Sequence, residues 1–418
     1  ILHRLVGSEM CIRDSLAGWI YALGIAWDAV TDPFMGYLAE RTSSPRGRYR
    51  PYILFGTIPL ALSFVLLFWV PPLEGLSLFL CLVVINVFHR TCFTIVSVPY
   101  SSLTPRITSD SEERTKLTTA RMIGASFGTL LMSSLGFPII NFFGQNDESL
   151  GIIYLSFIAA SIAVVILYFT YWSVKESSTE EIKEAYPSVS QLILSILKNY
   201  PFWIVFSSIL ILGSTTIMFN KNLIYYIKYA LDLHSYQGLV LGLSGLSSFA
   251  SIPFWSYVSL KIGKRNTWQI SMSLLLLAFA LFYFYQINSL QELIIIVCLI
   301  GLASGAGGVL FWSMLPDTIE YGEWKSGIRS ESSLYGFMTF AQKSSIAVAA
   351  LVLGLLLTFI NFSPNEIQTP ETLTGLKNIM SLIPASGIAI SIFLMYFYPI
   401  NSEYHKELLI NIEARKNG

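Results

Sequence analysis

The chain has 418 residues, of which 54% are hydrophobic and 12% are charged, and its formal net charge is zero. A soluble domain carries about 25% charged residues, so this composition excludes an ordinary soluble protein. A balanced charge also gives no indication of nucleic-acid binding. The apolar residues fall in long blocks near the length of about 20 residues that crosses a bilayer as a helix. The sequence therefore predicts an all-α polytopic membrane protein.

The first segment, residues 1–15, is too short and too charged to be a signal peptide or a membrane span. We expect it to be non-native, and no function is assigned to it. About eleven apolar stretches follow, and each is a predicted span. Their ranges are 16–40, 51–71, 77–104, 116–140, 152–174, 201–229, 238–260, 267–288, 291–316, 332–360 and 375–399.

Basic residues mark alternate loops between these stretches. The loops near 41–50, 105–116, 175–200, 261–266 and 317–331 carry Lys or Arg, whereas those near 72–76, 141–151, 230–237, 289–290 and 361–374 carry neither. The positive-inside rule places the first set in the cytoplasm, and the C-terminal tail with it.

The longest polar connection divides the chain into two halves. We expect an N-terminal helical bundle at 16–174, a cytoplasmic linker at 175–200, a C-terminal bundle at 201–399 and a cytoplasmic tail at 400–418. Two membrane halves joined by a linker are typical of transporters that bind their substrate near the middle of the membrane.

Two carboxylates interrupt the first span. Asp28 and Asp32 lie four residues apart, so a helix places both on one face. An ionisable side chain inside a span is costly and indicates an ion or substrate pathway. An internal salt bridge that only orders the helices is the structural alternative.

A polar stripe follows in the third span. Arg90, Thr94, Ser97 and Ser101 are spaced by four, three and four residues, which places them on one helix face. Such a stripe favours a cavity over lipid. Hydroxyl groups that bond backbone carbonyls between helices would explain the Ser and Thr residues without a ligand.

Four stretches carry a family resemblance. They are WDAVTDPFMGYLAERTSSPRGRYRPYILFG at 27–56, VPYSSLTP at 98–105, ARMIGASFG at 120–128 and DTIEYGEWKSGIRSESSLYG at 317–336. Together they resemble the glycoside–pentoside–hexuronide:cation symporters, a branch of the major facilitator superfamily. In that register the first helix of an expected twelve is missing, which agrees with an odd number of spans.

The resemblance implies a major facilitator fold and cation-coupled symport of a sugar by alternating access. The resemblance places Asp28, Thr31, Asp32 and Thr94 in a cation site, and it places the basic residues Arg121 and Lys343 near the substrate. The polar stripe adds Arg90, Ser97 and Ser101 to the expected substrate site, and Trp27, beside Asp28, could form a wall of the cavity. Charged residues of the loop near 317–331 predict a cytoplasmic conformational latch, and they are Asp317, Glu320, Glu323, Lys325 and Arg329.

Three positions depart from the pattern of family members that carry galactosides. Thr31 stands where such a member has an amide, Arg90 stands where it has a glycine, and Ser97 stands where it has an acidic residue. Arg90 could bind an anionic group of the substrate, or it could pair with Asp28 or Asp32 as a built-in cation. The surplus of positive charge, with Arg121 and Lys343, favours an acidic, hexuronide-like sugar.

The resemblance places the protein in the bacterial cytoplasmic membrane as a monomer. Its expected partners are a small sugar, the coupling ion Na⁺ or H⁺ and the lipid bilayer, with no nucleic acid, no cofactor and no metal beyond Na⁺. A polytopic membrane enzyme, such as a lipid or sugar transferase, is the rival from another class. Two observations argue against such an enzyme: the chain has only four His residues, and its sequence shows no cluster with metal-ligand spacing. An inactive, truncated carrier is the third alternative.

The charge pattern predicts that the loop near 41–50 and the tail after residue 400 are both cytoplasmic. Cysteines introduced by Ser44→Cys and Ser402→Cys, in a chain without its native cysteines, should resist a membrane-impermeant thiol reagent in intact cells. Both should react after the membrane is permeabilised. Labelling of either position from outside would reverse the orientation.

Overall fold

The computed structural model describes residues 14–145, 147–176, 188–364 and 366–417, and all regular structure in these ranges is helical. The predicted all-α class is confirmed. Most of the segment expected to be non-native, and part of the predicted linker, lie outside the described residues.

The helices are numbered here in chain order. They are α1 (Asp14–Glu40), α2 (Arg50–Leu66), α3 (Gly75–Ser102), α4 (Thr104–Ile107), α5 (Ser111–Gly144), α6 (Glu148–Ser173), α7 (Val189–Leu197), α8 (Tyr200–Tyr225), α9 (Gln237–Ile262), α10 (Lys264–Phe284), α11 (Leu290–Ser326), α12 (Glu331–Phe359), α13 (Pro370–Tyr396) and α14 (Ser402–Asn417). A π-turn, Tyr226–Ala230, continues α8.

Each of the eleven predicted stretches is occupied by a long helix. Within the described ranges, nine helical segments are long and apolar enough to cross a membrane. The first is α3 together with α4, and the others are α5, α6, α8, α9, α10, α11, α12 and α13. The other two predicted spans are α1, which carries Asp28 and Asp32, and α2, which has 17 residues. The exact number of spans therefore stays a prediction.

Side-chain caps mark several helix starts. Asp147 accepts hydrogen bonds from the Ser149 and Leu150 amides at the start of α6. Ser188 and Gln191 form a reciprocal capping box on α7, inside the predicted linker. These caps satisfy amide groups that the first helical turn leaves without a partner.

The described residues group into two compact units. Unit 1 contains the described residues of 1–109, 125–187 and 330–340, and unit 2 contains those of 110–124, 188–329 and 341–418. In unit 1, α3 packs against both α1 and α2, and α2 also packs against α6. In unit 2, α9 packs against α11, and α13 packs against α8 and α10.

Unit 1 contains a close backbone crossing between α1 and the first turns of α12. The Ser332 hydroxyl donates to the Gly36 carbonyl at 2.6 Å. A Cβ at Gly36 would overlap the Ser332 carbonyl, and a Cβ at Gly336 would overlap the Asp32 carbonyl. Both glycines are therefore required by the approach of the two backbones, which holds the aspartate-bearing part of α1 in place.

We predict that Gly336→Ala lowers the free energy of unfolding by about 1–3 kcal/mol, because the new methyl group forces the backbones apart. The thermal midpoint of the purified protein in detergent should fall. Gly128→Ala is the matched control, because a Cβ at Gly128 has no neighbour within 4 Å in the described structure. Equal midpoints for the two variants would show that the crossing tolerates a side chain.

Candidate functional site

The two aspartates of α1 lie side by side in the interior of unit 1, and both are fully buried. Arg90 on α3 forms a salt bridge from its Nη1 to Asp28 Oδ2. One turn further along α3, Thr94 donates to Asp32 Oδ1 at 2.6 Å. The two aspartates on α1 thus contact Arg90 and Thr94 on α3, and in both pairs the two residues are four positions apart. The structure brings the carboxylate pair of α1 against the first two residues of the predicted polar stripe.

Local sequence shapes this part of α1. Pro33 follows Asp32 directly and has no amide hydrogen, so the Ala29 carbonyl receives no helix bond from position 33. Thr31 donates its hydroxyl to the Trp27 carbonyl at 3.0 Å, inside its own helix. The stretch of α1 that carries the two aspartates thus also contains a hydroxyl group and a carbonyl group that receives no helix bond from position 33.

Two neighbours of Arg90 were missed by the sequence analysis. Asn86 accepts from Arg90 Nε at 2.9 Å, and the Tyr21 ring centroid lies 5.6 Å from the guanidinium carbon. Asn86 stands four residues before Arg90, so it extends the polar stripe by one turn and was detectable from spacing. Tyr21 comes from α1 and had no such signal.

Other predicted substrate residues of unit 1 lie around this cluster. Trp27 is 41% exposed, and its indole donates to the Thr91 hydroxyl at 2.8 Å. The Oγ atom of Ser97 is buried and makes no hydrogen bond within the described residues. Ser101 is also buried, further along α3.

The remaining two predicted substrate residues belong to unit 2. The Arg121 guanidinium carbon lies 4.5 Å from the ring centroid of Trp312. A cation over an indole face is stabilised by the ring quadrupole. Lys343 is half-buried on α12.

The predicted latch residues lie at the C-terminal end of α11 in unit 2. Asp317 Oδ2 is 2.7 Å from Lys264 Nζ, and Glu320 Oε1 is 2.6 Å from Arg114 Nη2. His405 Nε2, on α14, lies 2.5 Å from Glu320 Oε2. These three cationic partners were not expected, because they come from separate segments of the chain.

The two predicted latch cations behave differently from each other. Arg329 Nη1 pairs with Glu323 Oε2 at 2.6 Å. Lys325 forms no ion pair within the described part of the chain, which corrects its expected place in the network. Its ammonium group lies 5.6 Å from the Trp324 ring centroid and is exposed, so water solvates the charge.

The ligand atoms of Asp317, Glu320 and His405 lie within 4.8 Å of one another, which is close enough to hold a metal ion. Each carboxylate also contacts a fixed cation, Lys264 or Arg114. A metal ion would have to displace these partners. The geometry is therefore that of a salt-bridge network.

A further buried acid in unit 1, Glu331, was missed by the sequence analysis. Glu331 Oε2 accepts from Arg106 Nε at 2.5 Å and from the Tyr49 hydroxyl at 3.1 Å. Nearby, the Glu176 carboxylate accepts from three successive amides, those of Arg48, Tyr49 and Arg50, at 2.8–2.9 Å. An anion at this position satisfies the amides at the start of α2.

Fold and site together define a multi-pass membrane transporter with buried charges in each unit. A family model described as MFS/sugar transport protein matches residues 6–402. The chain belongs to this family and is a transporter, which overturns the membrane-enzyme alternative.

Sequence relatives agree with this assignment. The chain is 27% identical to the glucuronide carrier protein homolog of Escherichia coli (strain K12), over 96% of this chain and 88% of that protein. It is 26% identical to the isoprimeverose transporter of Lactiplantibacillus pentosus, over 97% and 85%. It is 28% identical to a putative sulfoquinovose importer of E. coli (strain K12), over 100% and 89%.

Solved structures show the same fold. The major facilitator transporter FucP in the outward conformation matches with a TM-score of 0.67 at 13% identity, over 93% of this chain and 91% of that one. A bacterial homologue of the iron transporter ferroportin matches with a TM-score of 0.66 at 12% identity, over 95% and 93%. The major facilitator fold is confirmed.

The docking of α14 is predicted to depend on pH through His405. Burial lowers the pKa of this imidazole, but the hydrogen bond to Glu320 and the charges of Asp317 and Glu320 outweigh that effect and the repulsion from Lys264. The net result is a pKa raised above 6.5. Protonated His405 therefore contributes fully to the docking of α14 below the ordinary pKa of imidazole. This contribution is lost as pH rises through the raised pKa.

Hydrogen exchange of the backbone amides of 402–417 tests this, with correction for the intrinsic pH dependence of exchange. Protection should fall between about pH 6 and about pH 9 in the wild type. His405→Gln should give low protection at both pH values. His234→Gln is the control, because that imidazole is exposed and lies in the short 3-10 helix before α9. If protection of these amides in the wild type did not change with pH, the docking of α14 would not depend on the charge of His405.

Proposed function

We propose that the protein imports an anionic glycoside of the hexuronide class together with Na⁺ or H⁺. It would do so as a monomer in the bacterial cytoplasmic membrane, with its C-terminus in the cytoplasm, by alternating access. Two of the relatives, a glucuronide carrier protein homolog and a putative sulfoquinovose importer, support an acidic sugar as substrate.

The salt bridge between Arg90 and Asp28 is the observation that carries the proposal. A guanidinium group binds carboxylate or sulfonate oxygens with two parallel hydrogen bonds, which suits an acidic sugar. The Arg90 side chain is 18% exposed, whereas the Asp28 side chain is completely buried. An incoming anion can therefore reach the arginine before it can reach the aspartate.

An exchange of partners would couple the two ligands. When the substrate anion takes Arg90, Asp28 loses its counter-charge inside the protein. Breaking a buried ion pair on one side costs about 3–5 kcal/mol, so a cation is then favoured at Asp28. The reverse also holds, because a cation at Asp28 releases Arg90 for the substrate. Each ligand thereby raises the affinity for the other, as linkage requires.

The coupling ion would be bound by oxygen atoms. The carboxylates of Asp28 and Asp32 and the hydroxyls of Thr31 and Thr94 are hard ligands, which suit Na⁺, and the acids can also take a proton. No cofactor is required in this scheme. The choice between the two ions follows from measuring uptake with a Na⁺ gradient and with a pH gradient separately.

The other predicted residues would assist. We assign Trp27, Ser97, Ser101, Arg121 and Lys343 to substrate contacts, because they add hydroxyls, an aromatic face and positive charge. The acids Asp317, Glu320 and Glu323, with Arg329, would act as a latch whose ion pairs form and break during alternating access.

The test is Arg90→Gly beside Arg90→Lys. Arg90→Gly should lower the uptake of glucuronate by about 100-fold or more, because the loss of a buried partner is worth several kcal/mol. It should also let Na⁺ or H⁺ bind without substrate, since Asp28 lacks its counter-charge. Arg90→Lys keeps the charge without the planar fork and should retain part of both properties.

Glucuronate uptake and ion binding are both measured with proteoliposomes. Undiminished glucuronate uptake in Arg90→Gly would contradict the substrate role. If Na⁺ stimulation appeared for the first time in that variant while uptake stayed unchanged, Arg90 would be only an internal counter-ion for the aspartates.

A further inference from the structure

Unit 2 contains a cleft of about 400 Å³ that none of the predicted site residues lines. It lies among α8, α9, α10, α11 and α13. Its volume falls in the range of roughly 300–1,000 Å³ that small-molecule sites occupy. The cleft is therefore large enough for a small ligand, and its lining shows which kind.

Polar side chains line one part of the cleft in matched pairs. Thr216 and Asn220 lie four residues apart on α8, and Ser244 and Ser248 lie four residues apart on α9. Residues at this spacing share one helix face, so each helix presents two polar groups to the same space. The described residues that line the cleft carry no charged side chain.

These four side chains differ from the hydroxyls next to them. Ser247 donates to the Leu243 carbonyl at 2.7 Å, and Ser251 donates to the Ser248 carbonyl at 2.8 Å. Such bonds inside a helix are the usual way to satisfy a hydroxyl in a membrane protein. In contrast, the side chains of the four cleft residues form no hydrogen bond with any described part of the chain.

Apolar side chains form the floor. Phe219 and Phe279 are buried and meet edge to face, with ring centroids 5.1 Å apart. Leu275 and Ile300 complete this surface beside them. The cleft thus has hydrogen-bonding groups on one side and aromatic and aliphatic surface on the other.

This combination matches the chemistry of an uncharged sugar ring. A sugar ring has hydroxyl groups that both donate and accept, and it has apolar C–H faces. Thr, Ser and Asn side chains likewise both donate and accept. A lipid chain would leave four polar groups without hydrogen bonds at membrane depth, which is costly.

We infer that this cleft is a binding site for a neutral sugar ring, held by Asn220, Thr216, Ser244 and Ser248 over the phenyl floor. The inference deepens the proposed function, on which it rests only in taking the ligand to be a sugar. It adds a site that recognises an uncharged ring, whereas the Arg90 site recognises an acidic group.

Binding of methyl β-D-glucopyranoside to the purified full chain tests the inference by calorimetry. Asn220→Leu and the double variant Ser244→Ala/Ser248→Ala should each weaken binding by at least about tenfold, because polar groups of the sugar lose their partners. Ser247→Ala is the matched control on the same helix, and its affinity should equal that of the wild type. Thermal midpoints in detergent report whether each variant is folded.

The outcomes separate this inference from the proposed function. Equal affinity of all variants for the neutral glycoside, or no binding by the wild type, overturns the sugar site even if glucuronate uptake depends on Arg90. Binding that depends on Asn220 supports the sugar site even if glucuronate is not transported. In the second case only the proposed acidic substrate fails.

Discussion

A charge removed from water needs an opposite charge or a strong hydrogen-bond partner, and this constraint accounts for the arrangement of the buried acids. In the described ranges, every buried Asp and Glu side chain has such a partner. Asp28 pairs with Arg90, Asp32 accepts from Thr94, and Glu40 accepts from Ser333 at 2.6 Å. The same is true of Asp317, Glu320, Glu323 and Glu331.

The two sets of buried charges differ in how many helices they connect. The Arg90 cluster in unit 1 is built mainly from α1 and α3, and the exchange of partners proposed for its central pair would not require those helices to separate. The network at the end of α11 draws its cations from α5, α10 and α14. Each of these contacts holds one helix to α11, so ion pairs that form and break there would change the packing of α5, α10 and α14, as the proposed latch requires.

Sequence patterns identified what depends on neighbours along the chain. Hydropathy located the long helices, and the four-residue spacing of Asp28 and Asp32, like that of Arg90 and Thr94, correctly put each pair on one helix face. Those patterns are local, so they survive folding unchanged. The partners of Asp317 and Glu320 could not be found in this way, because Arg114, Lys264 and His405 are distant in the sequence and only packing brings them together. The cleft in unit 2 could not be predicted either, because its lining comes from five helices that are distant in the sequence. Single Ser and Thr residues are also common in membrane helices, so they gave no signal.

The length of α11 has a consequence for sensitivity to voltage. With 37 residues at about 1.5 Å each, this helix is roughly 55 Å long, well beyond the hydrocarbon thickness of about 30 Å. Asp317 and Glu320 stand near its far end, about 40 Å or more from its start. The predicted cytoplasmic position of 317–331 would place these charges outside the region across which the transmembrane potential falls. Asp28 and Arg90 lie within predicted spans, and moving one elementary charge across the whole membrane is worth about 2.3 kcal/mol per 100 mV. The membrane potential would therefore act on the partner exchange proposed for Arg90 and Asp28 and not on the network at the end of α11.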